Sequence, residues 1–203
     1  MIKNILITGM PGSGKSTILD KVIVQYPQKV GFITREIRKG KDREGFAIET
    51  NSGDKAVLAH ILFNTPYKVS KYFVDINNLE PLLPKVSNFK QNDLLYLDEV
   101  GQMQLFSDNF KKLVLRYLDA DNIAMLTISK IYEDEFTKSL KNRRDVILIE
   151  INDENRESKL IFITELIKKI IKARSYITER NRFKIKGNKV EISSAHGKRN
   201  LKS

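Results

Sequence analysis

Residues 8–17, TGMPGSGKST, limit this chain more than any other stretch, because they sit between the apolar run KNILI and the amphipathic segment STILDKVIVQY. Gly9, Gly14, Lys15 and Ser16 fit the spacing G-x-x-x-x-G-K-[ST], with Gly12 as a third glycine inside the loop. Glycines let a backbone turn through conformations closed to other residues. The loop's N–H groups and the N-terminus of a following helix can then converge on a phosphate chain. A short continuous apolar run at residues 2–8 reads as a strand covered on both faces. Ile18, Leu19, Val22 and Ile23 recur at helical spacing over residues 15–26. Strand, glycine loop and helix in that order are the context the motif demands. A ligand-free turn is the plainer alternative, and this context weighs against it. Gly9, Met10, Pro11, Gly12, Ser13, Gly14, Lys15, Ser16 and Thr17 are therefore expected to cradle the phosphates of a nucleotide. Lys15 would reach the β and γ phosphates, and Ser16 would offer its hydroxyl to Mg²⁺.

The rest of the chain alternates strand and helix patterns. KVGFITREIRKGKDREGFAIETNSGDKAVLAHI holds three β-rich pieces broken by RKGKDREG and NSGD, a hairpin or small antiparallel meander. VDINNLEPLLPKVSNF reads as a short helix opening at Asn77 or Asn78 and interrupted by prolines. NDLLYLDEVG is a second buried-type strand ending in acids, and Leu105, Phe106, Phe110, Leu113, Val114 and Leu118 form a helical stripe after it. NIAMLTIS and DVILIEI are two more strands separated by a helical segment near 131–140, and a long helix covers 153–172. The alternation argues for an α/β fold: a mainly parallel sheet with helices on both faces and a small antiparallel β insertion.

With 203 residues, 41% of them hydrophobic, the chain suffices for one ordinary domain with a core, with room for an appendage. Cysteine is absent, which excludes disulfides and thiolate metal sites and fits a reducing cytoplasm. No run of 18 uncharged apolar residues is present, and MIKNILITG enters a strand pattern without the layout of a signal peptide. The expectation is a soluble cytoplasmic monomer with no membrane contact. The charge is uneven. Residues 168–203 carry 12 lysines and arginines against two acids, Glu179 and Glu191, whereas the first 167 residues hold 24 bases and 23 acids.

A bound nucleoside triphosphate needs an acid for Mg²⁺ and, where water attacks, a group to orient it. LLYLDEV supplies both at a strand end: Asp98 for the metal and Glu99 as general base. The bland alternative is a pair of solvated acids. Adjacent Asp and Glu favour hydrolysis over kinase chemistry.

GMPGSGKST, GFITREIRKGKDREGFAI, LAH, LDEVGQMQLFS and INDENRES occur here in the order found in one group of proteins. Over residues 1–172 the chain resembles the thermophile-type nucleoside-triphosphatase family, whose animal member is the cancer-related nucleoside triphosphatase. The phosphate loop is shared by many families, while the GFITREIR and DEVGQM blocks are specific to this one. The resemblance implies a RecA-like P-loop fold and Mg²⁺-dependent hydrolysis of ATP, GTP and other nucleotides with no tight base selectivity. It also implies a second wall of the site along Leu94, Leu95, Tyr96, Leu97, Asp98, Glu99, Val100 and Gly101. Arg35, Arg38 and Arg43 match the block where the family places basic residues facing the phosphates, and one of the three, with Arg35 as the candidate, would act as an internal arginine finger, with a solvated charged hairpin as the alternative. Asn155 and Arg156 match the family's ENR and are assigned near the base or ribose, although a polar helix start also explains them. One departure stands out: Gln102 and Gln104 replace the family's usual Lys and Glu, an exchange that implies slower turnover.

Residues 173–203 lie beyond the family pattern as a basic extension. RFKIKGNKVEISS reads as a β-hairpin around GN, followed by AHGKRNLKS as a flexible end, in which His196 is a loop residue. Its basic residues make nucleic acid or another polyanion a partner to test. Two rival functions follow: a nucleoside or nucleotide kinase with KNRRD at 141–145 as a phosphate-closing lid, and a nucleic-acid-associated NTP-binding switch using the tail.

Overall fold

The computed structural model describes residues 2–186 and 189–192. The apolar run after Lys3 forms β1 (Asn4–Thr8), buried along its whole length, and the glycine loop leads into α1 (Lys15–Ile23). Three long strands follow, β2 (Lys29–Lys39), β3 (Asp42–Thr50) and β4 (Lys55–His60), then a small pair, β5 (Tyr67–Val69) and β6 (Tyr72–Val74). Two short helices, α2 (Ile76–Leu79) and α3 (Leu83–Ser87), are separated by a 3₁₀ turn that contains a proline. β7 (Leu94–Val100), α4 (Asp108–Asp119), β8 (Ile123–Ile128), α5 (Glu135–Lys141) and β9 (Val146–Glu150) then alternate, and α6 (Arg156–Arg182) follows.

Among the described residues nine strands form one sheet in the order β5-β6-β4-β3-β2-β7-β8-β1-β9. β2, β7, β8, β1 and β9 pair in parallel, as the strand–helix alternation predicts. The meander expected between residues 29 and 61 is β2, β3 and β4, paired antiparallel. It extends the main sheet, because β2 pairs with β7 along one edge and with β3 along the other. The β5–β6 pair was not readable in the sequence. Its three-residue strands are too short for alternation to register, and the turn between them is made by Ser70 at φ 55°. It closes the antiparallel end of the sheet, with Tyr67 opposite Val74.

Local chemistry sets the helix boundaries. Ser107 caps α4 by accepting from the Phe110 N–H at 2.9 Å, so the stripe that begins at Leu105 starts in a 3₁₀ turn and becomes α-helical only at Asp108. Asp134 and Thr137 cap each other's backbone groups at the start of α5. α2 opens at Ile76, one residue before the first of the two asparagines, and Asp75 caps it through the Asn77 N–H.

The core lies where β2, β7 and β8 meet α4. Phe32 and Phe110 pack with ring centroids 5.9 Å apart, both fully buried, beside Leu97, Val114 and Leu126. Tyr117 belongs to the same cluster, and its hydroxyl donates to the Val86 carbonyl at 2.6 Å.

The chain divides into two compact units, the second beginning at Phe162 within α6. In that second unit α6 runs to Arg182, beyond residue 172, and β10 (Phe183–Lys186) pairs antiparallel with β11 (Lys189–Ile192), Phe183 opposite Ile192. The expected turn at residues 187–188, and the end after residue 192 with His196, lie outside the described residues. Among the described residues no helix is long and apolar enough to cross a membrane.

Tyr117→Phe removes one donor from a buried carbonyl and changes no other atom. It is expected to lower unfolding stability by about 1–3 kcal/mol, the cost of an unsatisfied buried polar group. A urea titration followed by circular dichroism checks this through a lower midpoint at unchanged slope.

Candidate active site

The loop of residues 9–14 leaves the carboxyl end of β1 and ends at Gly14, the N-cap of α1. Gly14 has φ 94°, in the left-handed region, and no side chain caps the helix. The first-turn N–H groups thus meet no capping oxygen, which is the arrangement that receives an anion. A side chain at Gly14 is barred twice over, since a Cβ there would lie 2.5 Å from Nε of Arg156. At Gly9 a Cβ would lie 2.4 Å from the Ile151 carbonyl oxygen. At these two positions the loop passes too close to residues 151–156 for any residue larger than glycine. Ser13 is buried, and its Oγ has no hydrogen-bond partner in the protein. Lys15 curls back over the loop, Nζ donating to the Gly9 and Met10 carbonyls at 3.0 and 3.1 Å.

Two strands away, β7 carries Asp98 to the same edge of the sheet. Asp98 is only 1% exposed. Its Oδ1 accepts from Ser16 Oγ at 3.0 Å and from Thr127 Oγ1 at 2.5 Å. Its backbone carbonyl accepts from Thr34 Oγ1, which in turn accepts from Gln104 Nε2 at 3.4 Å. Burial pushes the Asp98 carboxyl above the ordinary aspartate range, and the hydrogen bonds from Thr127 and Ser16 oppose that rise. Burial also raises the Glu99 carboxyl, with the charge of Asp98 adding to it, while Lys15 and Arg43 act in the opposite sense. A Cβ on Gly101 would approach the Glu99 carboxyl to 3.2 Å, so the Glu99 side chain folds across Gly101.

The Ser16 hydroxyl and Asp98 carboxylate are both hard oxygen donors in contact, a donor pair that suits Mg²⁺. No cluster of three or more His, Asp or Glu able to hold a metal occurs among the described residues. A Mg²⁺ held here would take its remaining ligands from phosphate and water, as is usual for this ion.

Other expected site residues fall into place differently. Leu94, Leu95, Tyr96, Leu97 and Val100 are buried inside β7, where Leu95 and Leu97 join the apolar core. Burial raises the Tyr96 phenol to about 12. Of that stretch, Asp98, Glu99 and Gly101 carry the polar edge. Arg35 reaches α1 and grips Asp20 with Nη1 at 2.6 Å and Nη2 at 3.3 Å, one turn beyond Ser16. Arg38 and Arg43 both pair with Glu36, and Arg43 also lies over the rings of Phe46 and Tyr72. Arg156 packs on the loop, Nε donating to the Ser13 carbonyl at 3.1 Å and Nη2 to Asp153 at 2.5 Å. Asn155 exchanges hydrogen bonds with Asn152 and shapes the turn before α6. Arg143 of the KNRRD stretch is held by Asp119 and Asp145 near the amino end of β1, away from the loop. It does not form a lid over the phosphates.

Thr127 and Thr34 hydrogen-bond to Asp98, contacts that the sequence did not announce. Thr127 is a lone hydroxyl near the end of the apolar run IAMLTI, and that interruption was the available signal. Its role depends on β8 lying between β7 and β1, with Thr127 in register with Ile7.

A parallel sheet whose β1 ends in a glycine loop and whose β7 presents a buried aspartate to the loop's serine defines a P-loop nucleoside-triphosphate enzyme. The NTPase family model matches residues 4–170, and the chain belongs to that family. The chain is 38% identical to the nucleoside-triphosphatase THEP1 of Thermotoga maritima, covering 81% of this chain and 95% of the relative. The crystal structure of THEP1 from the hyperthermophile Aquifex aeolicus superposes with a TM-score of 0.72 at 29% identity, over 81% of this chain and 98% of that one. The solution structure of a human cancer-related nucleoside triphosphatase gives 0.68 at 29% identity, over 82% and 98%.

Because Asp98 holds its proton more tightly folded than unfolded, its ionisation weakens the empty fold. That effect is absent below about pH 3.8, the ordinary value, and is complete once pH has risen through the raised folded value. Asp98→Asn keeps an oxygen for Ser16 and Thr127 and removes the buried charge. The ligand-free variant is expected to melt no lower than the wild type at pH 8 while releasing no phosphate. A thermal melt across pH with a phosphate-release assay checks both, and a lower melting point would make the carboxylate a stabilising group.

Proposed function

We propose that the protein hydrolyses nucleoside 5′-triphosphates, ATP and GTP among them, to the diphosphate and phosphate with Mg²⁺ as cofactor. The contact between Ser16 Oγ and Asp98 Oδ1 at 3.0 Å carries this reading, since it sets the two metal-binding groups beside the phosphate loop with Glu99 next in the chain. The name nucleoside-triphosphatase borne by the Thermotoga maritima relative supports it. The absence of cysteine supports a cytoplasmic setting.

In this reading the loop N–H groups and the start of α1 bind the β and γ phosphates. Lys15 exchanges the carbonyls of Gly9 and Met10 for phosphate oxygens, a rotation of one flexible side chain. When bound, Mg²⁺ neutralises charge on the β and γ phosphates, and Ser16 and Asp98 would hold it. Glu99 orients water and takes its proton as the new P–O bond forms and the bond to the diphosphate oxygen breaks. Its raised carboxyl suits a general base. Thr127 and Thr34 keep Asp98 in place. Arg35, tied to α1 through Asp20, adds positive charge on the phosphate side, and Arg156, against Gly14, is assigned to the base or ribose.

Phosphate release from a nucleotide panel, with and without Mg²⁺, tests the reading. Lys15→Ala is expected to weaken triphosphate binding and abolish most turnover in a folded protein. Glu99→Gln is expected to bind Mg²⁺·ATP normally while turnover drops about a hundredfold or more. Loss of binding in step with turnover in Glu99→Gln would reassign Glu99 to the metal or to the fold.

A further inference from the structure

Beyond Glu99 the structure holds a cavity of about 310 Å³, lined by residues from β2, β3, β5, the turn after β7 and the segment after β8. Its lining mixes apolar side chains, Phe46, Val69, Met103, Ile131 and Tyr132, with polar ones, Thr34, Glu99, Gln102, Gln104 and Ser129. Attack by water requires no apolar lining and only a small part of this space. Pockets of this size and mixed lining are instead usual for small organic ligands. Ile131 stands 63% exposed at the cavity, an apolar side chain that a bound ring would cover. Among the described residues Glu99 is the one charged side chain in the lining. A phosphorylated or otherwise anionic occupant would meet that carboxylate, while Lys15 and Arg43, the cations that act on Glu99, lie outside the lining. The amides of Gln102 and Gln104 and the hydroxyls of Thr34 and Ser129 suit uncharged hydroxyl and carbonyl groups.

We infer that this cavity is an acceptor site for an uncharged, ring-bearing alcohol, and that the enzyme transfers the γ-phosphoryl group to it as well as to water. The inference rests on the phosphate loop and on Glu99 acting as base in the proposed hydrolysis. The acceptor hydroxyl takes the place of water beside Glu99 and gives its proton to the Glu99 carboxylate, which passes it to solvent. The acceptor oxygen forms a bond to the γ-phosphorus, the bond to the β–γ bridging oxygen breaks, and the nucleoside diphosphate leaves with that electron pair. The products are a phosphate monoester and the diphosphate, and no further reactant is required.

The test uses the full chain with Mg²⁺ and ATP labelled at the γ position. One arm supplies the common nucleosides as acceptors, and a second supplies uncharged aromatic alcohols that carry no base or ribose. Labelled organic product is separated from inorganic phosphate and identified by mass. A labelled monoester in either arm, formed as phosphate release declines, is the expected result, and the productive arm identifies the acceptor type. Ile131→Trp fills the cavity from its exposed side. It is expected to cut transfer about tenfold or more while acceptor-free phosphate release stays within about threefold of the wild type. Absence of monoester in both arms overturns the inference, as does transfer that Ile131→Trp leaves unchanged. Acceptor-free phosphate release reports on hydrolysis separately, so a failed acceptor site and a failed hydrolytic reading give different results.

Discussion

The buried carboxylate of Asp98 is the constraint on which the rest of the site depends. An ionised group removed from water is costly unless neighbouring donors replace its hydration. Asp98 gathers those donors from three elements: Ser16 from the first turn of α1, Thr127 from β8, and Thr34 from β2, which holds its backbone carbonyl. The same bonds that satisfy the acid therefore set the phosphate loop against the sheet. A cation bound between Ser16 and Asp98 would relieve the carboxylate's excess of buried charge, so the empty site is built less stably than a ligand-bound one.

β2 links the two halves of the sheet. Along its first residues it pairs in parallel with β7 and belongs to the nucleotide-binding half. Further on it departs from β7 and continues with β3 as an antiparallel ribbon, from Phe32 opposite Thr50 to Lys39 opposite Asp42. Thr34 lies just past the last pairing with β7, which allows its hydroxyl to reach the Asp98 carbonyl. The arginines that follow on β2 and β3 pair with acids, Arg35 with Asp20 on α1 and Arg38 and Arg43 with Glu36. The antiparallel strands also supply Phe46 and Val69 to the cavity beyond Glu99, so this half of the sheet shapes the space next to the acidic end of β7.

Gln102 and Gln104 take different positions in the lining of that cavity. Gln104 is almost fully buried and its amide donates to Thr34, which ties it to the Asp98 network. Gln102 is half-buried in the cavity lining. A charged pair at these positions would set two more ionised groups beside Glu99, whereas the amides add no charge there.

Read alone, the sequence determined the phosphate loop, the buried parallel strands, the helices between them and the acidic end of β7. These follow from local requirements: glycine where backbone passes too close for a Cβ, apolar runs where strands are covered on both faces, and capping residues at helix starts. Tertiary structure alone decided which distant groups converge. Ser16 and Asp98 are 82 residues apart, and Thr127 is a further 29 residues on, so their meeting follows from strand order, with β8 seated between β7 and β1. Strand order likewise sent Arg35 to Asp20 and buried the leucines of β7 in the core, while the parallel direction of β9 beside β1 put Arg143 at the end away from the loop. Sequence pattern records the face a residue prefers. It does not record which strand lies alongside, because pairing is a property of the whole sheet.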